Sequence, residues 1–120
     1  MTDLALSSAT ELLALYRRKQ ASPIEAVEAA LARIEQHNPK LNAFCLIDAA
    51  GARAAARESA QRWAKRAPLD ALDGVPVSIK DLLNLRGWPT KRGSKLMAEA
   101  APADEDSPSV ARLREAGAIF

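Results

Sequence analysis

Two capping boxes, Ser8-Ala-Thr-Glu11 and Ser22-Pro-Ile-Glu25, determine where the first helices of this chain can begin. In such a box the serine accepts a hydrogen bond from the N–H three residues on, and the glutamate reaches back to the serine N–H. The first helix is predicted to run to about Gln20. The second carries Pro23 where a missing N–H costs nothing. It is predicted to end at Asn38-Pro39, because proline disfavours helix in the residue before it.

Strand-like and helical patterns alternate in the rest of the chain. The predicted elements are, in order, a strand at 41–47, a helix capped by Asp48 and reaching about Arg66, a strand at 75–80, and a helix from Asp106-Ser107-Pro108 to Gly117. Residues 82–103 are predicted to be irregular, and so long an irregular segment is usually functional. The alternation is typical of an α/β architecture. Because residues 118–120 begin another apolar run, we expect the chain to be the N-terminal portion of a longer protein.

Composition argues against several classes of function. The net charge of +2, from 17 basic and 15 acidic residues, gives no reason to expect direct nucleic-acid binding. The single cysteine, Cys45, excludes an internal disulfide; we expect it to be a small buried hydrophobe in a reducing, cytoplasmic compartment. The single histidine, His37, has no partner at metal-ligand spacing, so no metal or other cofactor is predicted. No signal peptide and no apolar run of membrane-spanning length is visible.

Lys80 ends the predicted strand at 75–80 and is the candidate catalytic residue. Alternation places Val75, Val77 and Ile79 on one face, and Ser78 and Lys80 on the other. Ligands of α/β sheets tend to bind beyond the carboxyl ends of strands, and a desolvated, neutral lysine there can act as a general base. Solvated strand-end lysines are common, so the pattern alone favours a snorkelling lysine or one that pairs with Asp81. Ser78 lies about 6.5–7 Å along the strand, too far for a direct hydrogen bond.

Three motifs in order, "LDGVPVSIKD", "RGWPTKRGS" and "DSPSVARLREAGAI", resemble the N-terminal part of the amidase signature family. The upstream segment "SPIEAVEAALARIEQHNPKLNAF" is similar to the helix and strand that precede the core in that family, so the resemblance covers nearly the whole chain. It implies one amidase signature domain with a mixed sheet, of which residues 1–67 form a helical N-terminal region. Residues 68–120 would begin the catalytic core, and the 120 residues would be incomplete on their own.

The resemblance also implies the chemistry. Lys80 matches the lysine of a Ser–cis-Ser–Lys triad that hydrolyses carboxylic amides to acid and ammonia through an acyl-enzyme. The nucleophile, the cis serine and the oxyanion hole of the family lie beyond the A-G-A-I segment, so the chain alone is predicted to be inactive. Ser94 lacks the glycine-serine context of the nucleophile, and Lys91 stands where many members have a threonine. Asp81 is expected to order the turn by accepting backbone N–H bonds.

Two alternatives to a simple amidase stay open. One is the glutamine-amide-cleaving subunit of a tRNA-dependent amidotransferase, although the "RGWPT" loop is slightly more similar to the simple amidases. The other is a non-catalytic fragment that serves as an interaction module. The expected ligand is a small-molecule amide, and the full-length protein could form a homodimer.

Overall fold

Four α-helices and two short 3₁₀ turns form the chain in this computed structural model, which describes residues 3–120. The helices are α1 (Ala9–Arg17), α2 (Pro23–Leu41), α3 (Ala49–Ala64) and α4 (Pro108–Glu115), and the 3₁₀ turns are Leu4–Leu6 and Lys95–Met97. All four predicted helices are therefore confirmed. Both capping boxes form, with the N–H of Ser8 donating to Glu11 (2.7 Å) and the N–H of Ser22 donating to Glu25 (2.8 Å).

Two small apolar clusters hold the helices together. The first joins α1 and α2 to the extended segment after α3, and its buried members are Leu12, Leu13, Tyr16, Ala26 and Val75. The second joins α2 and α3 to the end of the chain, and its buried members are Val27, Ala52, Ala56 and Ile119. Ala52 and Ala56 of α3 are buried beside Val27 of α2, where their small side chains allow close packing of the two helices.

The segment 41–47 is not a strand, and this prediction is wrong. Helix α2 continues through Pro39 to Leu41, since a proline in the last turn removes a single hydrogen bond. The helix then ends at Asn42, which adopts a left-handed conformation (φ 50°). Asn38 holds the next residues in a loop, because its side chain accepts from the N–H of Phe44 (2.8 Å) and donates to the carbonyl of Phe44 (3.1 Å).

The apolar side chains of this loop point towards solvent. Cys45 is exposed, contrary to the prediction that it is buried, and Leu46 and Ile47 keep 41% and 45% of their surface accessible. The residue types of a buried strand are present, but no neighbouring strand among residues 3–120 covers them.

The predicted strand at 75–80 is an extended segment with one parallel bridge, between Pro76 and Ile119. Ile119 donates to the carbonyl of Val75 (2.9 Å) and accepts from the N–H of Val77 (2.7 Å). Pro76 itself has no N–H to donate. Two further isolated bridges join the loop 82–103 to itself, so the sheet of the expected α/β architecture is not formed within the described part of the chain.

Candidate functional site

Lys80 lies at the end of the extended segment and is exposed. Its carbonyl accepts from the N–H groups of Leu82 (2.7 Å) and Leu83 (3.0 Å), which turns the chain immediately after it. Within residues 3–120 its ammonium group forms no ion pair, so the predicted pairing with Asp81 is absent. The exposure of Lys80 in the described chain agrees with the snorkelling lysine that the strand pattern alone favours.

Asp81 connects the two sides of the loop that follows Lys80. Its carboxylate accepts from the N–H of Lys91 at 2.8 Å. The sequence predicts that Asp81 accepts backbone N–H bonds in the turn directly after the strand. Asp81 does accept a backbone N–H bond, but the donor lies ten residues further along the chain. The residue before Lys91, Thr90, is almost fully buried and donates its hydroxyl to the Asn84 side chain at 3.0 Å. The backbone that follows Lys80 is therefore held by several hydrogen bonds.

A second set of polar contacts joins this loop to the start of α4. The Ser107 hydroxyl accepts from the N–H of Asn84 (2.8 Å), and the N–H of Ser107 donates to the carbonyl of Asn84 (2.9 Å). Asp106 accepts from the N–H of Arg86 (2.8 Å) and forms a two-point ion pair with Arg114. The Arg114 guanidinium holds the pKa of the Asp106 carboxyl at about 2, below its usual value of 3.8.

The start of the Lys80 segment is anchored by Asp73, whose side chain is fully buried. Its carboxylate accepts two hydrogen bonds from Arg62 (2.8 and 2.7 Å), one from the Ser59 hydroxyl (2.8 Å) and one from the N–H of Leu69 (2.7 Å). Burial by itself raises the pKa of this carboxyl. The hydrogen bonds from Arg62, Leu69 and Ser59 outweigh burial, so the pKa of Asp73 lies below its usual value.

Gly74 and Gly117 allow the backbones around Asp73 to approach one another. Gly74 has φ +87°, and a Cβ there would lie 2.6 Å from the Pro23 side chain and 2.7 Å from Ser59. Gly117 has φ +90°, and a Cβ there would lie 2.7 Å from the Cα of Asp73. The Tyr16 hydroxyl donates to the carbonyl of Gly74 at 3.0 Å. The "DGVP" part of the motif is therefore a structural joint that sets the direction of the chain towards Lys80.

Sequence reasoning missed this role of Asp73. The signal was available on α3, because Ser59, Arg62 and Trp63 are spaced i, i+3 and i+4 and so share a helix face. All three donate to Asp73, with the Trp63 indole N–H bonding its carbonyl at 3.0 Å. A serine, an arginine and a tryptophan on one face of an alanine-rich helix indicate a buried acceptor nearby.

An open groove of about 1050 Å³ runs beside Lys80. Its walls come from α2, the loop 43–48, the segment 76–81 and the last residues of the chain. The apolar side chains lining it include Leu31, Ile34, Phe44, Ile47, Val77 and Phe120. The polar residues lining it are Arg33, Asp48, Ser78, Lys80, Asp81, Arg86, Thr90 and Arg114. The exposed residue Lys80 thus lies among the residues that line a mainly apolar groove.

The serines near Lys80 do not form a catalytic pair with it among the described residues. Ser78 is exposed, and the Ser94 hydroxyl accepts from the N–H of Leu96 (3.2 Å) at the start of a 3₁₀ turn. Over residues 3–120, no three His, Cys, Asp or Glu side chains cluster closely enough to hold a metal ion. In the same range, no helix is both long and apolar enough to span a bilayer.

Comparison with known proteins agrees with the motif pattern. The Amidase family profile matches residues 25–120. The chain is 44% identical over 120 residues to a glutamyl-tRNA(Gln) amidotransferase subunit of Salinispora tropica, and 43% identical over 117 residues to the corresponding subunit of Myxococcus xanthus. Among solved structures it resembles a bacterial aryl acylamidase of the amidase signature enzymes, with a TM-score of 0.83 at 31% identity.

The two sequence matches and the structural match cover similar shares of the proteins compared. The matches cover 100%, 98% and 94% of this chain and 24%, 23% and 24% of the three proteins, in the order named. The chain therefore spans about a quarter of the length of its relatives. Since the family profile matches most of its residues, and the motifs around Lys80 lie within that match, the chain belongs to the amidase signature family.

Proposed function

We propose that this chain is part of an amidase that hydrolyses a carboxylic amide through an acyl-enzyme, with Lys80 as its general base. The observation that carries the proposal is the position of Lys80. Lys80 lines a large groove, and the backbone immediately after it is held by the N–H groups of Leu82 and Leu83 and by the Asp81–Lys91 contact. A general base must be held within reach of the proton that it takes up, and a fixed backbone limits where the Lys80 side chain can reach.

In the proposed mechanism, the neutral amine of Lys80 accepts a proton that a second serine relays from the nucleophilic serine. The serine oxygen attacks the amide carbonyl, and the C–N bond of the resulting tetrahedral intermediate breaks. The leaving nitrogen takes up the proton, so ammonia or an amine departs and an ester to the enzyme remains. Water then hydrolyses that ester, and the acid is released. We propose that both serines come from residues outside these 120; in the described chain Ser78 is exposed and the Ser94 hydroxyl accepts from the N–H of Leu96.

The exposure of Lys80 bears on the inactivity that we propose for the chain alone. A lysine in water is an ammonium ion and cannot accept a proton, whereas desolvation favours the neutral amine. The described residues leave Lys80 exposed, so its activation requires further residues that cover it. For the complete protein we propose a small-molecule amide substrate, a cytoplasmic location and a homodimeric assembly, with no direct contact to nucleic acid.

A second candidate function is supported by the names of the relatives. The sequence relatives named above, at 44% and 43% identity, are subunits of glutamyl-tRNA(Gln) amidotransferases. The amide cleaved would then be that of glutamine, with the ammonia passed to a partner subunit. The solved aryl acylamidase, at 31% identity, supports the simple amidase instead. Glutamine hydrolysis that rises when partner subunits are added would favour the amidotransferase.

A chimaera tests the role of Lys80. The 120 residues replace the matched quarter of the Salinispora tropica protein, and turnover of glutamine and of a simple aryl amide is measured. Lys80→Ala is expected to lower turnover on either substrate by about 10²-fold to 10⁴-fold, the usual contribution of a general base. Lys95→Ala, at another exposed lysine of the same loop region, is the matched control and is expected to have no effect. Full turnover in the Lys80→Ala chimaera would refute the assignment, as would turnover by the isolated 120-residue chain.

A further inference from the structure

We propose that an acidic polypeptide segment binds the surface at which the carboxyl-terminal ends of α1 and α3 meet. Five exposed cations form this basic patch: Arg17, Arg18, Lys19, Lys65 and Arg66. No residue of the basic patch lines the groove beside Lys80. The proposal therefore concerns a separate surface, and it does not depend on the catalytic role of Lys80.

Two aromatic side chains bring the two helix ends together. Tyr16 and Trp63 lie in the last turns of α1 and α3, and their ring centroids are 5.6 Å apart. Both rings also bond to the segment that follows α3. The Tyr16 hydroxyl donates to the carbonyl of Gly74 (3.0 Å), and the Trp63 indole N–H donates to the carbonyl of Asp73 (3.0 Å). The cations that follow each aromatic residue are therefore carried by one surface with a fixed backbone.

The two helices end in the same way. The N–H of Lys19 donates to the carbonyl of Tyr16 (3.1 Å), and the N–H of Arg66 donates to the carbonyl of Trp63 (3.0 Å). Lys19 and Arg66 both adopt the left-handed conformation, with φ of 57° and 55°. Glycine is the usual residue at this position, because a Cβ makes the left-handed conformation unfavourable. Both helices thus carry a cation where the backbone favours glycine.

The positive charge of the basic patch is not balanced within the described chain. All ion pairs among residues 3–120 involve other side chains. Asp73 is paired with Arg62, and Asp70, in the turn after α3, can offset one positive charge at most. The helix dipoles favour cations such as Arg17 and Lys65 near these ends. They do not require a cation at the two left-handed positions, which glycine would occupy without strain.

The backbone of the helix ends indicates which kind of anion fits the basic patch. The carbonyls of Arg18 and Lys65 accept no hydrogen bond within the described chain. An acidic polypeptide segment offers carboxylates to the cations and backbone N–H groups to these carbonyls. A phosphate of a nucleic acid only accepts hydrogen bonds, and the carbonyl oxygens would repel it. The helix ends therefore favour an acidic polypeptide over a nucleic acid.

Fluorescence polarisation tests the proposal with a labelled decaglutamate peptide as the probe, titrated at low ionic strength with the purified 120-residue chain. Lys19→Gly and Arg66→Gly are each expected to weaken binding about threefold, and the double variant about tenfold, since an exposed ion pair contributes modestly. The matched control is Arg92→Gly, because Arg92 is an exposed arginine of the loop 82–103 that is also left-handed (φ 56°). Arg92→Gly is expected to leave the affinity unchanged.

Urea unfolding of the same variants separates binding from a structural role. Glycine relieves the left-handed strain, so the urea midpoints of Lys19→Gly and Arg66→Gly are expected not to fall. A lower midpoint together with unchanged binding would show that the two cations serve the fold, and would overturn the proposal.

Three binding outcomes would also overturn the proposal. The first is equal affinity for decaglutamate in the unsubstituted chain and the double variant. The second is an equal loss with Arg92→Gly, because net charge alone would then explain the binding. The third is tighter binding of a single-stranded RNA oligonucleotide that the double variant loses, because a nucleic acid would then be the partner.

The chimaera with the Salinispora tropica protein repeats the titration in a chain of full length. The same losses with Lys19→Gly and Arg66→Gly are expected there, and a chimaera that does not bind decaglutamate contradicts the proposal. Failure of the catalytic proposal is distinguishable, since Lys80→Ala is expected to alter turnover and to leave decaglutamate binding unchanged.

Discussion

The ion pair between Asp73 and Arg62 is predicted to be a main determinant of the stability of this chain. The Asp73 side chain is fully buried, whereas 32% of the Arg62 side chain is exposed. Replacing Asp73 by alanine removes the acceptor of four hydrogen bonds. It leaves the Arg62 guanidinium, the Ser59 hydroxyl and the N–H of Leu69 without that acceptor. Removing one partner of a buried ion pair costs about 3–5 kcal/mol.

The magnitude depends on which partner is removed. After Asp73→Ala the half-buried guanidinium can turn towards water, so the expected loss of stability is about 3 kcal/mol. After Arg62→Ala the carboxylate stays fully buried without its counter-ion, so the expected loss of stability is about 5 kcal/mol. The Arg62→Ala loss is also expected to shrink as the pH falls, because protonation neutralises the uncompensated carboxylate.

Urea unfolding of the purified chain, followed by circular dichroism, measures these changes. With a slope of about 2 kcal/mol per molar, the midpoint is expected to fall by about 1.5 M for Asp73→Ala. The matched control is Glu28→Gln, which removes a two-point pair with Arg53 of similar geometry (2.7 and 3.0 Å) that is exposed on both sides. Its midpoint is expected to stay within experimental scatter. Equal midpoint shifts for Asp73→Ala and Glu28→Gln would refute the argument that burial sets the strength of the pair.

Three further predictions concern the loop and its joints. The pKa of Asp106 falls from 3.8 to about 2 on folding. The ionised carboxylate therefore contributes about 1 kcal/mol or less to the stability after screening, a contribution that is complete above pH 3.8 and lost as the pH falls through 2. Asp106→Asn should remove this loss of stability at acid pH when the free energy of unfolding is measured against pH. Gly74→Ala should lower the urea midpoint more than Gly87→Ala. Both glycines have positive φ, but only at Gly74 would a Cβ collide with neighbouring atoms. Equal losses for the two variants would show that these collisions do not contribute. Asp81→Ala should speed amide exchange of Lys91 about fivefold, the value of one lost hydrogen bond, and unchanged exchange would show that the contact does not hold the loop.

Local sequence patterns predicted the helices well, because a helix is started by hydrogen bonds between residues that are close in the sequence. The capping boxes at Ser8 and Ser22 and the Asp48 cap each act within three residues, and all three form as predicted. The family was also recognisable from the sequence, since motifs with fixed spacing do not depend on the tertiary structure. The importance of Lys80 within that motif stays a prediction until its removal is tested.

The strands and the buried groups could not be predicted in the same way. A strand needs a neighbour that supplies hydrogen bonds, and residues 41–47 have none among residues 3–120, so their apolar pattern produces an exposed loop. Cys45 is exposed for the same reason. Asp73 showed no pattern of its own, because its four donors come from α3 and from Leu69 rather than from its immediate neighbours.

The sequence by itself thus determined the helices, their caps and the family, through interactions that act within a few residues. The tertiary structure decided which polar groups are buried, how Asp73 joins α3 to the Lys80 segment, and which apolar faces stay open. Those outcomes depend on contacts between distant parts of the chain, as in the parallel pairing of Pro76 with Ile119, and their free energies are set by burial. For the same reason Lys80 is exposed here, at the end of an extended segment whose one described bridge joins Pro76 to Ile119.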